Sequence, residues 1–249
     1  MTDAAPPAIV MITMAGFGHR FRDAGFDCPK YMIKARGRSL FDWSIGSLER
    51  HIAIGSPFVF IVRREDAAED FIRGRAAAFG ISQVEIVSLE TPTDGQATTA
   101  RVACELVDRA APLAIFNIDT SVEPYYLNPA GVRGDGFIPC FDAPGDSWSF
   151  VRLGADGYAV EVREKQRISG HASVGYYWFR SVEIYAAAYD RYYRPGRPLD
   201  RGERYVAPIY NSLIEDGYRV TISNIPCSAI RLLGTPEQLD AFVSGRTPG

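Results

Sequence analysis

The 249-residue chain is 47% apolar and 23% charged, the balance of an ordinary globular protein with one large domain. Its 27 Lys and Arg against 30 Asp and Glu give a net charge of -3 without a dense basic block, so a nucleic-acid partner is not expected. The cysteines, Cys28, Cys104, Cys140 and Cys227, form no Cys-x-x-Cys pair, which argues against a zinc knot, a redox pair or a secreted disulfide scaffold and favours a reducing cytoplasm. Residues Met1 to Pro7 carry no basic stretch, and the apolar run Ala8 to Ala15 is too short for a signal core or a membrane span, so neither targeting nor membrane insertion is expected.

In chain order, Ala8 to Ala15 predicts a first, central strand buried on both faces. A helix over Leu40 to Ile52 and an apolar strand at Phe58 to Val62 complete a β-α-β unit. The alternation continues with a helix from Glu65 to Phe79, a strand from Val84 to Leu89, a helix from Thr98 to Asp108 and a strand from Leu113 to Phe116. Strands alternating with helices predict an α/β, doubly wound, mainly parallel sheet through about residue 120. Short strands then follow one another at Gly136 to Phe141, Trp148 to Leu153, Ala159 to Val162 and Ser173 to Phe179, a mixed α+β pattern. Helices at Ser181 to Tyr193 and Tyr205 to Asp216 come next, then strands near Arg219 to Ser223 and Ser228 to Leu233. A last helix, Thr235 to Val243, has Thr235 as its N-cap and Pro236 in its first turn. The polar interruption from Arg194 to Arg204 reads as a mobile flap or a solvated connection. The whole chain, 1–249, is taken as one domain with a first half to about residue 120 and a second half from 121.

The segment Ala15-Gly16-Phe17-Gly18-His19-Arg20-Phe21 falls where the first strand ends, the edge at which open α/β sheets bind ligands. Glycines there let backbone N–H groups cradle phosphate oxygens, although a plain strand-to-helix turn uses glycine as well. The third glycine of a dinucleotide fingerprint is replaced by Phe21, and no Gly-Lys-Ser/Thr makes a Walker loop. Arg20 and Lys30, the latter after Pro29, add the cations that a triphosphate needs when its leaving charge must be neutralised.

Gly16, Gly18, His19 and Arg20 with the Pro29-Lys30 pair resemble the signature of the sugar-1-phosphate nucleotidyltransferases, or nucleotide-sugar pyrophosphorylases, of which the capsule and surface-polysaccharide type is the nearest in pattern. His19 departs from the family's Ser or Thr. The resemblance implies a GT-A/Rossmann-like nucleotidyltransferase fold, with residues 1–120 binding nucleotide and 121–249 binding the acceptor. It implies that Ala15, Gly16, Gly18 and His19 line the phosphates, that Gly95 and Gln96 contact the nucleobase, and that Asn117 borders the nucleotide. By the same resemblance Asp119 holds Mg²⁺, Lys165 beside Glu164 meets the acceptor's phosphate, and Gly175 and Tyr176 belong to the acceptor-binding strand. Each short match has a bland counterpart: a helix cap at Asp94 or Thr93, a turn at Asp119, a strand-end charge pair at Glu164-Lys165, and core packing at Tyr176. The family's second Mg²⁺-binding acid is missing, because its place is taken by Leu232.

The reaction so implied joins a nucleoside triphosphate to a sugar 1-phosphate, or a related phosphomonoester, and releases pyrophosphate. No general base is required, since a phosphomonoester with a second pKa of about 6 is already largely dianionic at neutral pH. Arg20, Lys30 and Lys165 are then the catalytic cations. A glycosyltransferase built on the same nucleotide half and a non-catalytic nucleotide-sugar-binding protein are the alternatives; the first normally carries an Asp-x-Asp pair, of which Asn117-Ile118-Asp119 offers half. A homo-oligomer is compatible with all three.

Overall fold

The computed structural model describes residues 7–196 and 202–246, so residues 197–201 of the expected polar interruption lie outside the described residues. The apolar runs of the first half form four parallel strands, β1 (Ile9–Thr13), β2 (Phe58–Arg63), β3 (Val84–Leu89) and β4 (Leu113–Asn117), in the order β3-β2-β1-β4. Period-2 alternation sends Val10, Ile12, Phe58, Phe60 and Phe116 into one core layer and Met11, Val59, Ile61, Leu113 and Ile115 into the other. Helices cover both faces, which is why these strands are apolar throughout rather than alternating.

Five helices belong to this half: α1 (His19–Asp23), α2 (Leu40–Gly46), α3 (Glu49–Ala53), α4 (Glu69–Ala78) and α5 (Gln96–Ala103). The single helix expected over Leu40 to Ile52 is broken. Ser47 and Leu48 bond back to Ser44 and Ile45, a tightened turn, and the Ser47 hydroxyl accepts the Val122 N–H at 2.8 Å. A buried N–H from another element thus gains a partner where the helix gives up continuity. The α2 start has a reciprocal cap between Ser39 and Asp42.

In the second half, β5 (Gly136–Phe141), β6 (Ser149–Leu153) and β7 (Ala159–Glu164) precede a strand that splits into β8 (Ala172–Ser173) and β9 (Tyr176–Phe179). With β10 (Val220–Asn224) lying parallel along β5, ten strands form one mixed sheet in the order β7-β6-β8-β5-β9-β4-β1-β2-β3. Strand β9 runs antiparallel to β4, pairing Tyr176 with Phe116, and so fuses the two halves into one core. The split at Val174-Gly175 comes from Gly175, whose φ of 83° turns its carbonyl onto the Asn117 N–H at 3.1 Å. Helices α6 (Val182–Tyr192) and α7 (Tyr210–Glu215) pack on the outer face. The final helix, α8 (Pro236–Ser244), begins at Thr235, whose hydroxyl accepts the Gln238 N–H, and ends on left-handed Gly245. Ahead of α8, Ile230–Leu232 pairs with Thr120–Val122 and brings the C-terminal segment beside the end of β4. Among the described residues no helix is long and apolar enough to cross a membrane.

Candidate active site

A cleft of about 580 Å³ opens at the C-terminal ends of β1 and β4. Ala15 to Phe21 and Lys30 form one wall, Thr93 to Gln96 and Thr99 a second, and Asn117 to Asp119 the floor, with Gly202, Glu203 and Gly234 at the rim. The glycine loop is held at its far end by the buried Phe21 and by the Phe21 and Arg22 N–H groups, which bond to the Gly18 carbonyl. Gly18, with φ of 65°, supplies the left-handed turn. Among the described residues, no backbone N–H from Ala15 to Arg20 donates to another group of the protein. Six consecutive donors therefore run along the cleft wall, the arrangement that binds anionic oxygens.

Lys30 follows Pro29 in a single tight turn and reaches across the cleft, its Nζ 2.7 Å from Asp119 Oδ2. Both side chains stay partly accessible, at 20% and 26%. On the second wall, Gly95 has φ of 145°, and a Cβ there would lie 2.4 Å from the Arg204 carbonyl oxygen. That close approach carries a short ladder: the Arg204 N–H donates to the Asp94 carbonyl and the Ala97 N–H to the Arg204 carbonyl. Arg204 Nε also sits 3.0 Å from Asp94 Oδ2. The Gln96 amide then donates to Thr13 Oγ1 at 3.0 Å and to Asn117 Oδ1 at 2.5 Å, closing the cleft floor with a polar chain.

Asp119 is the one acid among Asn117, Ile118 and Asp119 at the end of β4, and its carboxylate lies on the cleft floor beside Gly234. The register that pairs Leu232 with Thr120, together with the Leu233 N–H bonded to the Asp119 carbonyl, puts Leu232 next in line to Asp119. Its side chain packs on the core instead of offering an oxygen. Among the described residues no three His, Cys, Asp or Glu side chains gather as a metal cage. One carboxylate facing a phosphate cradle nevertheless fits Mg²⁺, which keeps several waters and takes its remaining oxygens from substrate phosphates.

The acceptor-side expectations fare differently. Tyr176 is a correction: only 1% exposed, it lies in the core, and its hydroxyl meets His51 Nε2 at 3.0 Å. Burial drives its phenol well above the usual pKa and leaves it no route to the cleft. Gly175 lies outside the cleft lining, and a Cβ there would lie 2.4 Å from Asn117 Nδ2. The room the glycine leaves is taken by the Asn117 side chain. Glu164 accepts the Ser149 hydroxyl, and Lys165, at φ of 50°, reaches Tyr205 OH; neither lines the cleft. Ala15, Gly16, Gly18, His19, Arg20, Lys30, Gly95, Gln96, Asn117 and Asp119 all line it. The residues overlooked in the sequence are Thr13, Phe17, Thr99 and Arg204. Thr13, a hydroxyl ending an otherwise apolar strand, was a visible signal; nothing local marked Arg204.

No protein-family model and no curated protein sequence matches the chain. Among solved structures, the nucleoside-diphosphate-sugar pyrophosphorylase of Vibrio cholerae RC9 is 35% identical, with 94% of this chain and 99% of that one aligned at a TM-score of 0.87. The inositol-1-phosphate CTP transferase of T. maritima, at 13% identity, aligns over 98% of this chain and 100% of its own with a TM-score of 0.72. A Bacillus anthracis protein assigned as a glucose-1-phosphate thymidylyltransferase shares 15% identity and a TM-score of 0.75, over 95% and 94% of the two chains. The last two share the fold. The first shares fold and sequence over nearly the full length of both chains, and on that ground the chain belongs to the sugar-1-phosphate nucleotidyltransferase family.

Proposed function

We propose that the chain joins a nucleoside triphosphate to a sugar 1-phosphate and releases pyrophosphate. The observation that carries this reading is the row of undonated N–H groups from Ala15 to Arg20 facing Lys30 and Asp119 across one cleft. The triphosphate lies along the loop with its base between Gly95 and Gln96. An oxygen of the acceptor's phosphate attacks the α-phosphorus, the bond from that phosphorus to the bridging oxygen breaks, and pyrophosphate carries the electron pair away. Arg20 and Lys30 neutralise the charge growing on the leaving group, and Lys165, which lies outside the cleft lining, takes the incoming phosphate by exchanging its Tyr205 partner for a phosphate oxygen. With a dianionic nucleophile no proton has to move, so positioning and charge stabilisation account for the rate.

Asp119, with phosphate oxygens and water, would hold Mg²⁺. When bound, that ion supplies further neutralisation of the triphosphate charge. The sequence resemblance to the capsule and surface-polysaccharide type, with Leu232 at the missing acid's place, is the ground for the finer proposal that the product feeds surface-polysaccharide synthesis in the cytoplasm. A pyrophosphate-release assay over the common nucleoside triphosphates and a panel of sugar 1-phosphates, with and without Mg²⁺, tests the reaction. Release with at least one pair, abolished in Asp119→Ala, is expected. Nucleotide binding without release from any pair would leave only the non-catalytic reading, which Leu232 keeps open.

A further inference from the structure

Six N–H groups left without partners among the described residues make a useful cradle only if something other than backbone hydrogen bonding holds the loop in shape. Gly16 offers nothing, since among the described residues no atom beyond its chain neighbours lies within 4 Å of where its Cβ would be. Phe17, between the two glycines, is placed differently. Its ring stacks on the His19 imidazole, with centroids 5.0 Å apart and planes inclined by 22°, and the Arg63 guanidinium lies 5.3 Å from the ring centroid. Arg63 ends β2 and is itself fixed: its side chain is 4% exposed and ion-paired with both Glu65 and Asp66. Asp66 also accepts the hydroxyl of Tyr31, the buried neighbour of Lys30, at 3.1 Å. One buried arginine with its carboxylate partner therefore reaches both sides of the cleft's first wall, Phe17 on the glycine loop and Tyr31 next to Lys30.

We infer that Phe17, clamped between Arg63 and His19, is a positioning residue that holds the phosphate loop in its binding shape while leaving every N–H free. The contacts that do this are made by the faces of π-systems, so they consume no backbone donor. The clamp also gives His19 a role that a Ser or Thr at that position would lack, because neither has a planar group to lay on the Phe17 ring. Phe17 is 40% exposed, which means that truncating it removes the clamp without opening the core. The inference rests on the proposed function insofar as the loop's ligand is a polyphosphate.

The test uses the full chain and inorganic tripolyphosphate, a probe that needs no choice of base. In Phe17→Ala, backbone ¹⁵N heteronuclear NOE values at Gly16 and Gly18 should fall in the ligand-free protein. Calorimetric affinity for Mg-tripolyphosphate should fall about five- to tenfold, the usual worth of a cation–π contact with partial desolvation. Phe17→Trp should restore both, whereas Phe17→Leu, which keeps bulk and loses the ring face, should not. In turnover the KM for the nucleotide should rise while that for the acceptor stays put, a split that a general loss of folding does not produce. Arg63→Lys, which keeps the buried charge but not the planar face, should copy Phe17→Leu. A loop that stays rigid in Phe17→Ala, or one that loosens with no change in tripolyphosphate affinity, overturns the inference. Wild-type protein that binds neither tripolyphosphate nor any nucleoside triphosphate overturns the proposed function and this inference with it, and that outcome is read before any variant is made.

Discussion

The cleft and the segment expected from the sequence to bind the acceptor are built on opposite plans. The cleft, lined by Ala15 to Phe21 with Lys30, Gly95 and Gln96, presents backbone donors, two cations and glycines on loops and first helical turns that follow the ends of strands. The segment expected to bind the acceptor, Glu164 to Tyr176, is mostly engaged with other parts of the protein: Tyr176 with His51, Glu164 with Ser149, Lys165 with Tyr205. Loop glycines and a strand-end acid have functional meanings that survive without knowledge of tertiary contacts. An aromatic on a central strand does not, because burial decides whether it packs or binds.

The sharpest way to break this contrast is at the two ends of the Lys30–Asp119 pair. Lys30→Ala should lower kcat by about a hundredfold or more, by analogy with deletion of one transition-state donor worth about 3 kcal/mol. Steady-state pyrophosphate release reads it; a loss under tenfold would move the leaving-group role elsewhere. Next comes Gly175→Ala, which puts an L-residue at φ of 83° and its Cβ against Asn117 Nδ2. A stability loss of about 1–3 kcal/mol by urea denaturation is expected from the backbone strain alone. Because Asn117 holds Gln96, the nucleotide KM should rise too, although Gly175 touches no ligand. An effect on the acceptor KM only would restore the subsite read from the sequence.

Lys165→Ala tests the acceptor side directly. Loss of a charged hydrogen bond to phosphate, about 1.5–3 kcal/mol, should raise the acceptor KM at least tenfold and leave the nucleotide KM unchanged. Equal KM values for both substrates in the variant and the wild type would remove Lys165 from the site.

The smallest effect concerns pH. Burial lowers the His51 pKa from its ordinary 6.5 to about 4. Between those values the unfolded chain binds more protons than the folded one, so stability is full above about 6.5 and is lost as pH falls toward 4. The slope is at most about 1.4 kcal/mol per pH unit. His51→Gln should flatten that dependence in denaturation midpoints taken at neutral and mildly acid pH, without changing the nucleotide KM.

Local pattern sufficed for much of the fold. Strands at Val84–Leu89 and Gly136–Phe141 have the expected bounds, since a short apolar run between turn residues has few other uses. Elsewhere a distant partner intervened: Ser47 interrupts a helix to meet Val122, and Gly175 splits a strand against Asn117. The helix expected from Thr98 begins at Gln96 because the Ala97 N–H is taken up by Arg204, more than a hundred residues away in sequence.

By itself the sequence determined the alternating strand and helix order, the glycine loop at the end of the first strand, and the cations and acid around it, because periodicity, glycine and charge act locally. Only the tertiary structure decided which of those groups share one cleft. It set Lys30 on Asp119, put Leu232 beside that acid with no oxygen to give, sent Tyr176 into the core and brought Arg63 under Phe17. The physical reason is that each of these facts is a contact between residues far apart in the chain, fixed by strand register and burial, which no local pattern encodes.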